Sequence, residues 1–208
     1  MDGAGFAKTV LLAWTGASGA HYGLRLLECL IQQHVRVYLT LSDPARVVLH
    51  TETALRLPPS LADTQAFLDA HFATAPGQLQ VLARDQWTAP VASGSAQLDA
   101  MVVCPCTTAT LSAIATGASR SLTERAADVT LKERRTLILV VRETPLSAIH
   151  LGHMLSLAQM GAVIMPASPA FYHRPQTLND LVDFMVARVL DHLGIRHSLI
   201  QRWGETDI

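Results

Sequence analysis

Short β-rich runs that are apolar on both faces alternate along this chain with segments of helical period. The runs are Thr9–Trp14, Val35–Leu41, Ala100–Cys104, Leu137–Val141 and Ala162–Met165. Strands buried on both faces belong inside a parallel sheet covered by helices on each side. Between them, Leu24, Leu27 and Ile31 recur at helical spacing, and near the end Leu178, Leu181, Val182, Met185 and Val189 do the same. Parallel strands need crossover connections, so this alternation predicts a doubly wound α/β fold with right-handed crossovers.

At 208 residues, half of them apolar, the chain has the size and composition of one well-packed domain. Intrinsic disorder is excluded by the same composition. The least regular stretch, Pro58 to Gly94, contains Pro58-Pro59, Pro76-Gly77 and Ser93-Gly94-Ser95. Periodic segments flank it, so it reads as an excursion from a single domain spanning 1–208, with a core over about 8–195 and a tail over 196–208. Sixteen basic against seventeen acidic residues give a net charge of −1. That balance supplies no excess of positive charge for nucleic acid or an anionic membrane. The apolar runs fall far short of the ~20 residues of a membrane span. The first residues lack a basic region followed by an apolar core, and the three cysteines are an odd number. A reduced, cytoplasmic protein is the expectation.

A doubly wound fold places function beyond the carboxyl ends of its strands. After the first run comes Thr15-Gly16-Ala17-Ser18-Gly19, and after the second Ser42-Asp43-Pro44. Then follow Pro105-Cys106-Thr107-Thr108-Ala109-Thr110, Arg142-Glu143-Thr144-Pro145 and, after Pro166, Phe171-Tyr172-His173-Arg174-Pro175. The glycine turn lets backbone amides approach an anion at a helix N-terminus, or it is a tight turn with Ser18 as the helix cap. Its spacing fits neither a dinucleotide fingerprint nor a P-loop. Thr107, Thr108 and Thr110 suit a monophosphate such as that of FMN, or serve as ordinary caps. Cys104 and Cys106 read as small packing residues, and His150 with His153 as structural. Arg188 shares the apolar stripe of its helix and is expected to be buried and paired. Arg125 and Lys132 flank Asp128 on one helical face, as an exposed ion-pair ladder would. Arg142-Glu143, at a strand's carboxyl end, can clamp a phosphate and move a proton to it.

Several of these segments together resemble one known family. Thr15-Gly16-Ala17-Ser18-Gly19-Ala20, Tyr22-Gly23, Cys104-Pro105-Cys106, the block from Arg125 to Arg135, Arg142-Glu143, Pro145-Leu146 and Phe171-Tyr172-His173 with Pro175 are similar to the UbiX/Pad-type flavin prenyltransferases. The resemblance runs from about Lys8 to Trp203. It implies a flavodoxin-like (Rossmann-like) doubly wound parallel sheet in a three-layer α/β/α arrangement. It also implies trimer-based homo-oligomers, often dodecamers, with FMN between subunits. The implied reaction moves a dimethylallyl group from dimethylallyl monophosphate to reduced FMN, and the prenylated FMN serves UbiD-type decarboxylases. Members also carry the older label of aromatic acid decarboxylases.

Carried over residue by residue, the resemblance assigns FMN to Gly16, Ala17, Ser18, Ser42, Thr107, Thr108, Ala109, Thr110, Arg125 and Arg142. It assigns the prenyl phosphate to Lys132, Arg142, Tyr172 and Arg188, some from a neighbouring subunit, and the prenyl tail to Trp87 and Trp203. Glu143 would handle the proton on the departing phosphate, while Glu52 and Ser18 assist proton movements at the flavin. Thr107 stands where the family usually has serine, and Ser121 where asparagine is common. No Asp-rich metal motif is present, so Lys and Arg are expected to stabilise the leaving group without a metal. Two other functions fit a chain of this kind: an FMN-dependent cysteinyl-peptide decarboxylase, whose catalytic His and Pro-x-Met-Asn segment have no counterpart here, and a non-catalytic FMN-binding subunit.

Overall fold

The computed structural model describes residues 5–201. Six strands, β1 (Thr9–Trp14), β2 (Arg36–Leu41), β3 (Leu79–Leu82), β4 (Ala100–Cys106), β5 (Thr136–Val141) and β6 (Val163–Pro166), form one sheet in the order β3-β2-β1-β4-β5-β6. Every pairing is parallel. The helices are α1 (Ala20–Gln32), α2 (Asp43–Glu52), α3 (Leu61–Phe72), α4 (Thr108–Ala115), α5 (Leu122–Lys132), α6 (Ala148–Gln159) and α7 (Leu178–Leu193).

Side chains alternate across a strand, so each central strand feeds two cores. Val10, Leu12, Val37, Leu39, Val102 and Ile138 pack with α1, α2, α3 and α7 on one face. Leu11, Ala13, Met101, Val103 and Leu139 pack with α4, α5 and α6 on the other. The three-layer α/β/α architecture is therefore as expected. The five strands read from the sequence stand, counted among themselves, in the flavodoxin order 2-1-3-4-5. The sixth, β3, adds an edge beside β2 and completes the order of dinucleotide-binding folds. Both β3 and α3 lie in the stretch expected to be irregular. β3 is only four residues long and follows Pro76-Gly77, too short for a period to show. The fourth strand runs on through Pro105 to Cys106, with a shift of register between Val103 and Cys106. Among the described residues, no helix is long and apolar enough to cross a membrane.

Between β1 and β4 the chain order reverses, and α1 and α4 depart to opposite faces. That divergence opens a crevice at the carboxyl edge, where a ligand meets two helix N-termini at once.

Candidate active site

Thr15 ties the two sides of this crevice together. Its Oγ1 donates to the Pro105 carbonyl at 2.6 Å and accepts from the Thr107 amide at 2.9 Å. Gly16 passes so close to α2 that a Cβ there would lie 2.3 Å from Pro44 Cβ. Gly19 takes a left-handed conformation, with φ of 106°, and is the N-cap of α1. The cap oxygen is not that of Ser18. It comes from Glu52 at the end of α2, which accepts from the amides of Gly19 at 2.8 Å and Ala20 at 2.9 Å. Burial alone would raise the Glu52 pKa. Hydrogen bonds from Ser18, Ala20 and Gly19, with His21 nearby, outweigh it and hold the carboxyl below its ordinary value. A carboxylate thus already occupies the positive end of α1, and a phosphate does not fit there as well.

The other helix N-termini differ. Ser42 caps α2 by accepting from the Ala45 amide. Thr107 caps α4 by accepting from the Thr110 amide at 3.0 Å, and its Oγ1 bonds Thr110 Oγ1 at 2.9 Å. The amides of Thr108 and Ala109 are left over, since a helix has no internal partner for its first N–H groups. The start of α4 borders a cleft of about 340 Å³ lined by Thr15, Gly16, Ser42, Thr107, Ala109 and Thr110. Amides, small residues and hydroxyls thus meet at the start of α4, an arrangement that suits an anion. The methyl of Thr107 leaves its cap intact.

Three further residues border this cleft that sequence reasoning missed: Arg84, Thr123 and Glu124. Arg84 follows β3, so missing that strand hid it. Its carbonyl accepts from the Leu122 amide at 2.7 Å, while Thr123 Oγ1 bonds Thr40 Oγ1 at 2.9 Å, anchoring α5 to the sheet edge. Ser121, where asparagine is common in the family, caps α5 by accepting from the Glu124 amide at 3.3 Å.

A second cleft, of about 350 Å³, lies at the ends of β5 and β6 and is lined by Arg142, Glu143, Pro145, Leu146, Ala167 and Ser168. The Thr108 hydroxyl donates to Glu143 Oε2 at 3.4 Å, joining the two clefts through the first turn of α4. Arg142 Nε is buried without a hydrogen-bond partner among the described residues. Its guanidinium therefore keeps a donor for an anion.

Within one chain the remaining cations stay apart from these clefts. Lys132, at the end of α5, is exposed, pairs with Glu133 and borders a separate groove with Asp128, Arg134 and Arg135. Arg125 pairs with Asp128 at 2.8 Å, as its spacing suggested, and its Nε donates to the Ala92 carbonyl at 3.1 Å. Arg188 is paired, with Asp191 at 2.8 Å, but it is exposed rather than buried in this chain. The packed arc of α7 centres on Val186, Val189, Leu190 and Leu193; at 3.6 residues per turn, position 188 falls on the opposite side. Trp87 is exposed, and Tyr172 is half-exposed against His173 and Phe184. Trp203 lies outside the described residues. The three cysteines are free and buried, and burial raises each thiol pKa, consistent with packing roles. His150 completes a capping box with Ser147 at the start of α6.

Comparison with known proteins places this geometry in context. A family model described as Flavoprotein matches residues 6–190. The flavin prenyltransferase UbiX of Pseudomonas aeruginosa is 56% identical over 198 residues, covering 95% of each chain. Among solved structures, AnUbiX (PadA1) in complex with FMN and dimethylallyl pyrophosphate superposes with a TM-score of 0.85 at 38% identity, covering 96% of this chain and 99% of that one. A dodecameric FMN-dependent UbiX-like decarboxylase from Escherichia coli O157:H7 gives a TM-score of 0.83 at 39% identity, covering 94% and 98%.

Proposed function

This chain belongs to the UbiX flavin prenyltransferase family, and from that premise we infer how its residues divide the work. The reaction is transfer of a dimethylallyl group to reduced FMN, giving prenylated FMN. The observation that carries the assignment to this site is the junction at α4. Amides that suit a flavin phosphate sit one hydroxyl away from a carboxylate and an arginine with a donor to spare.

Bound and reduced, FMN supplies a nucleophilic ring nitrogen, N5. The Thr107–Thr110 turn holds its phosphate, and Gly16, Ala17, Ser18 and Ser42 line the approach of its ring. Arg142, with Lys132, Arg188 and Tyr172, holds the phosphoryl group of dimethylallyl monophosphate. The cations Arg142, Lys132 and Arg188 stabilise the charge that grows on the phosphate oxygen as the allylic C–O bond breaks. Glu143 carries the proton that the departing phosphate takes up, and Thr108 fixes its orientation. Glu52 stays ionised and, through Ser18, serves proton movement at the flavin edge. Arg125 reaches a neighbouring site, and Trp87 and Trp203 exclude water from the prenyl chain.

Homo-oligomerisation brings Lys132 and Arg188 to these clefts. It is supported by the dodecameric relative and by α6, which carries no charged residue and exposes Ile149, Leu151 and Leu155. The product is delivered to a UbiD-type decarboxylase, and the protein works in the cytoplasm. Anaerobic incubation with reduced FMN and either dimethylallyl monophosphate or pyrophosphate tests the substrate. Turnover with the monophosphate is expected; turnover with the pyrophosphate alone would contradict it.

A further inference from the structure

Arg84 follows β3 and lines the cleft at the start of α4, and none of the roles above uses it. Its backbone is pinned on both sides. The Ala83 amide donates to Gln86 Oε1 at 3.2 Å, and the Arg84 carbonyl accepts from the Leu122 amide at 2.7 Å. Leu122 opens α5, so that carbonyl serves one of the helix amides without an internal partner. The side chain has no such tie. It is exposed, and its guanidinium makes no ion pair or hydrogen bond among the described residues. An arginine with a fixed base and a free head loses little backbone freedom on meeting a ligand.

Among the residues that line this cleft, only Arg84 and Glu124 carry a full charge. Glu124 is already engaged: its Oε2 accepts from the Arg120 amide at 2.7 Å and stands 3.8 Å from Arg120 Nε. The hydroxyls of Thr107 and Ser121 are committed to helix caps, and that of Thr123 to Thr40. Hydroxyls and amides offer partial charges only, whereas a phosphate monoester brings about −1.5 to −2 charges at neutral pH. The uncommitted full charge of the lining is thus a cation. It belongs to the residue type whose planar fork matches a phosphate.

We propose that Arg84 pairs with the phosphate of FMN and thereby makes the cleft favour FMN over riboflavin, the same flavin without its phosphate. The assignment rests on the reading that this cleft takes the flavin. Guanidinium-to-phosphate hydrogen bonds are charge-assisted and stronger than neutral ones. Because the side chain is exposed, salt screens the attraction. A guanidinium also donates to ring carbonyls, which FMN and riboflavin share, so the two ligands together separate a phosphate contact from a ring contact.

The test is fluorescence titration of the full chain with FMN and with riboflavin, at low and high salt, for wild type, Arg84→Gln and Arg84→Lys. The side chain holds nothing else in place, so the melting temperature of Arg84→Gln is expected within about 2 °C of wild type. Its Kd for FMN should rise about tenfold at low salt, while its Kd for riboflavin stays within about twofold. The FMN loss should shrink at high salt. Arg84→Lys keeps the charge without the fork and should recover part of the FMN affinity. An FMN Kd within twofold of wild type in Arg84→Gln would overturn the proposal. Equal losses for FMN and riboflavin would overturn it too, by moving the guanidinium to the ring. Gly16→Ala, which crowds the same cleft, separates this failure from that of the underlying reading. If Gly16→Ala weakens FMN and Arg84→Gln does not, only Arg84 leaves the site; if neither does, the flavin binds elsewhere and both fall.

Discussion

Glu52 and Glu143 are carboxylates on the same sheet edge whose surroundings give them different tasks. Glu52 is saturated by two helix amides and Ser18, so it is held ionised and builds the turn around Gly19. Among the described residues the Glu143 side chain meets the Thr108 hydroxyl at 3.4 Å and the Thr144 amide at 3.1 Å, fewer contacts than hold Glu52, as the proposed proton carrier requires. Glu143→Gln is accordingly expected to lower kcat by roughly 10²–10⁴-fold with FMN affinity nearly unchanged, measured by single-turnover kinetics and flavin titration. Glu52→Gln is expected to cost about 1 kcal/mol of stability at neutral pH, the scale of a lost cap. Its pKa is lowered on folding, so the stabilisation is full above the ordinary value of 4.5 and is lost as pH falls through the folded value. Urea unfolding at several pH values checks the sign: wild type should lose more stability than Glu52→Gln on acidification through that range.

At the scale of elements, three helices start at the crevice: Glu52 occupies the first amides of α1, while the start of α4 borders the cleft with no carboxylate on its amides. Gly16 keeps the cleft beside it open. Gly16→Ala places a methyl 2.3 Å from the Pro44 ring, a clash that costs about 1–3 kcal/mol and should weaken FMN binding at least tenfold by fluorescence titration. The long central strands and the Thr107 cap were legible in the sequence because their signals are local: apolar runs, and a hydroxyl before a helix. What was not legible depends on tertiary contact or brevity. The edge strand β3 has too few residues to show a period, and Arg84 went unseen with it. No rule of spacing announces that α1 is capped by a carboxylate from α2 rather than by Ser18. The apolar neighbours of Arg188 suggested burial, but a wide packed arc on α7 still leaves one side to solvent.

For the whole molecule, the geometry sets a condition: Lys132 and Glu143 serve one site only if two copies meet. Mixing two disabled variants tests this directly. Lys132→Ala and Glu143→Gln chains, each nearly inactive, should recover up to about a quarter of wild-type activity when dissociated, mixed equally and reassembled, as random pairing across a shared interface requires. No recovery would place Lys132 in the site of its own chain or outside it. Replacing Leu151 and Leu155 by Glu on the uncharged face of α6 is expected to shift the assembly to smaller species by light scattering, with loss of activity but retained fold. The reaction itself is tested most directly by the mass of the flavin after anaerobic incubation of the protein with reduced FMN and dimethylallyl monophosphate. A flavin heavier by one C5 unit is the predicted product, and FMN of unchanged mass would contradict the account.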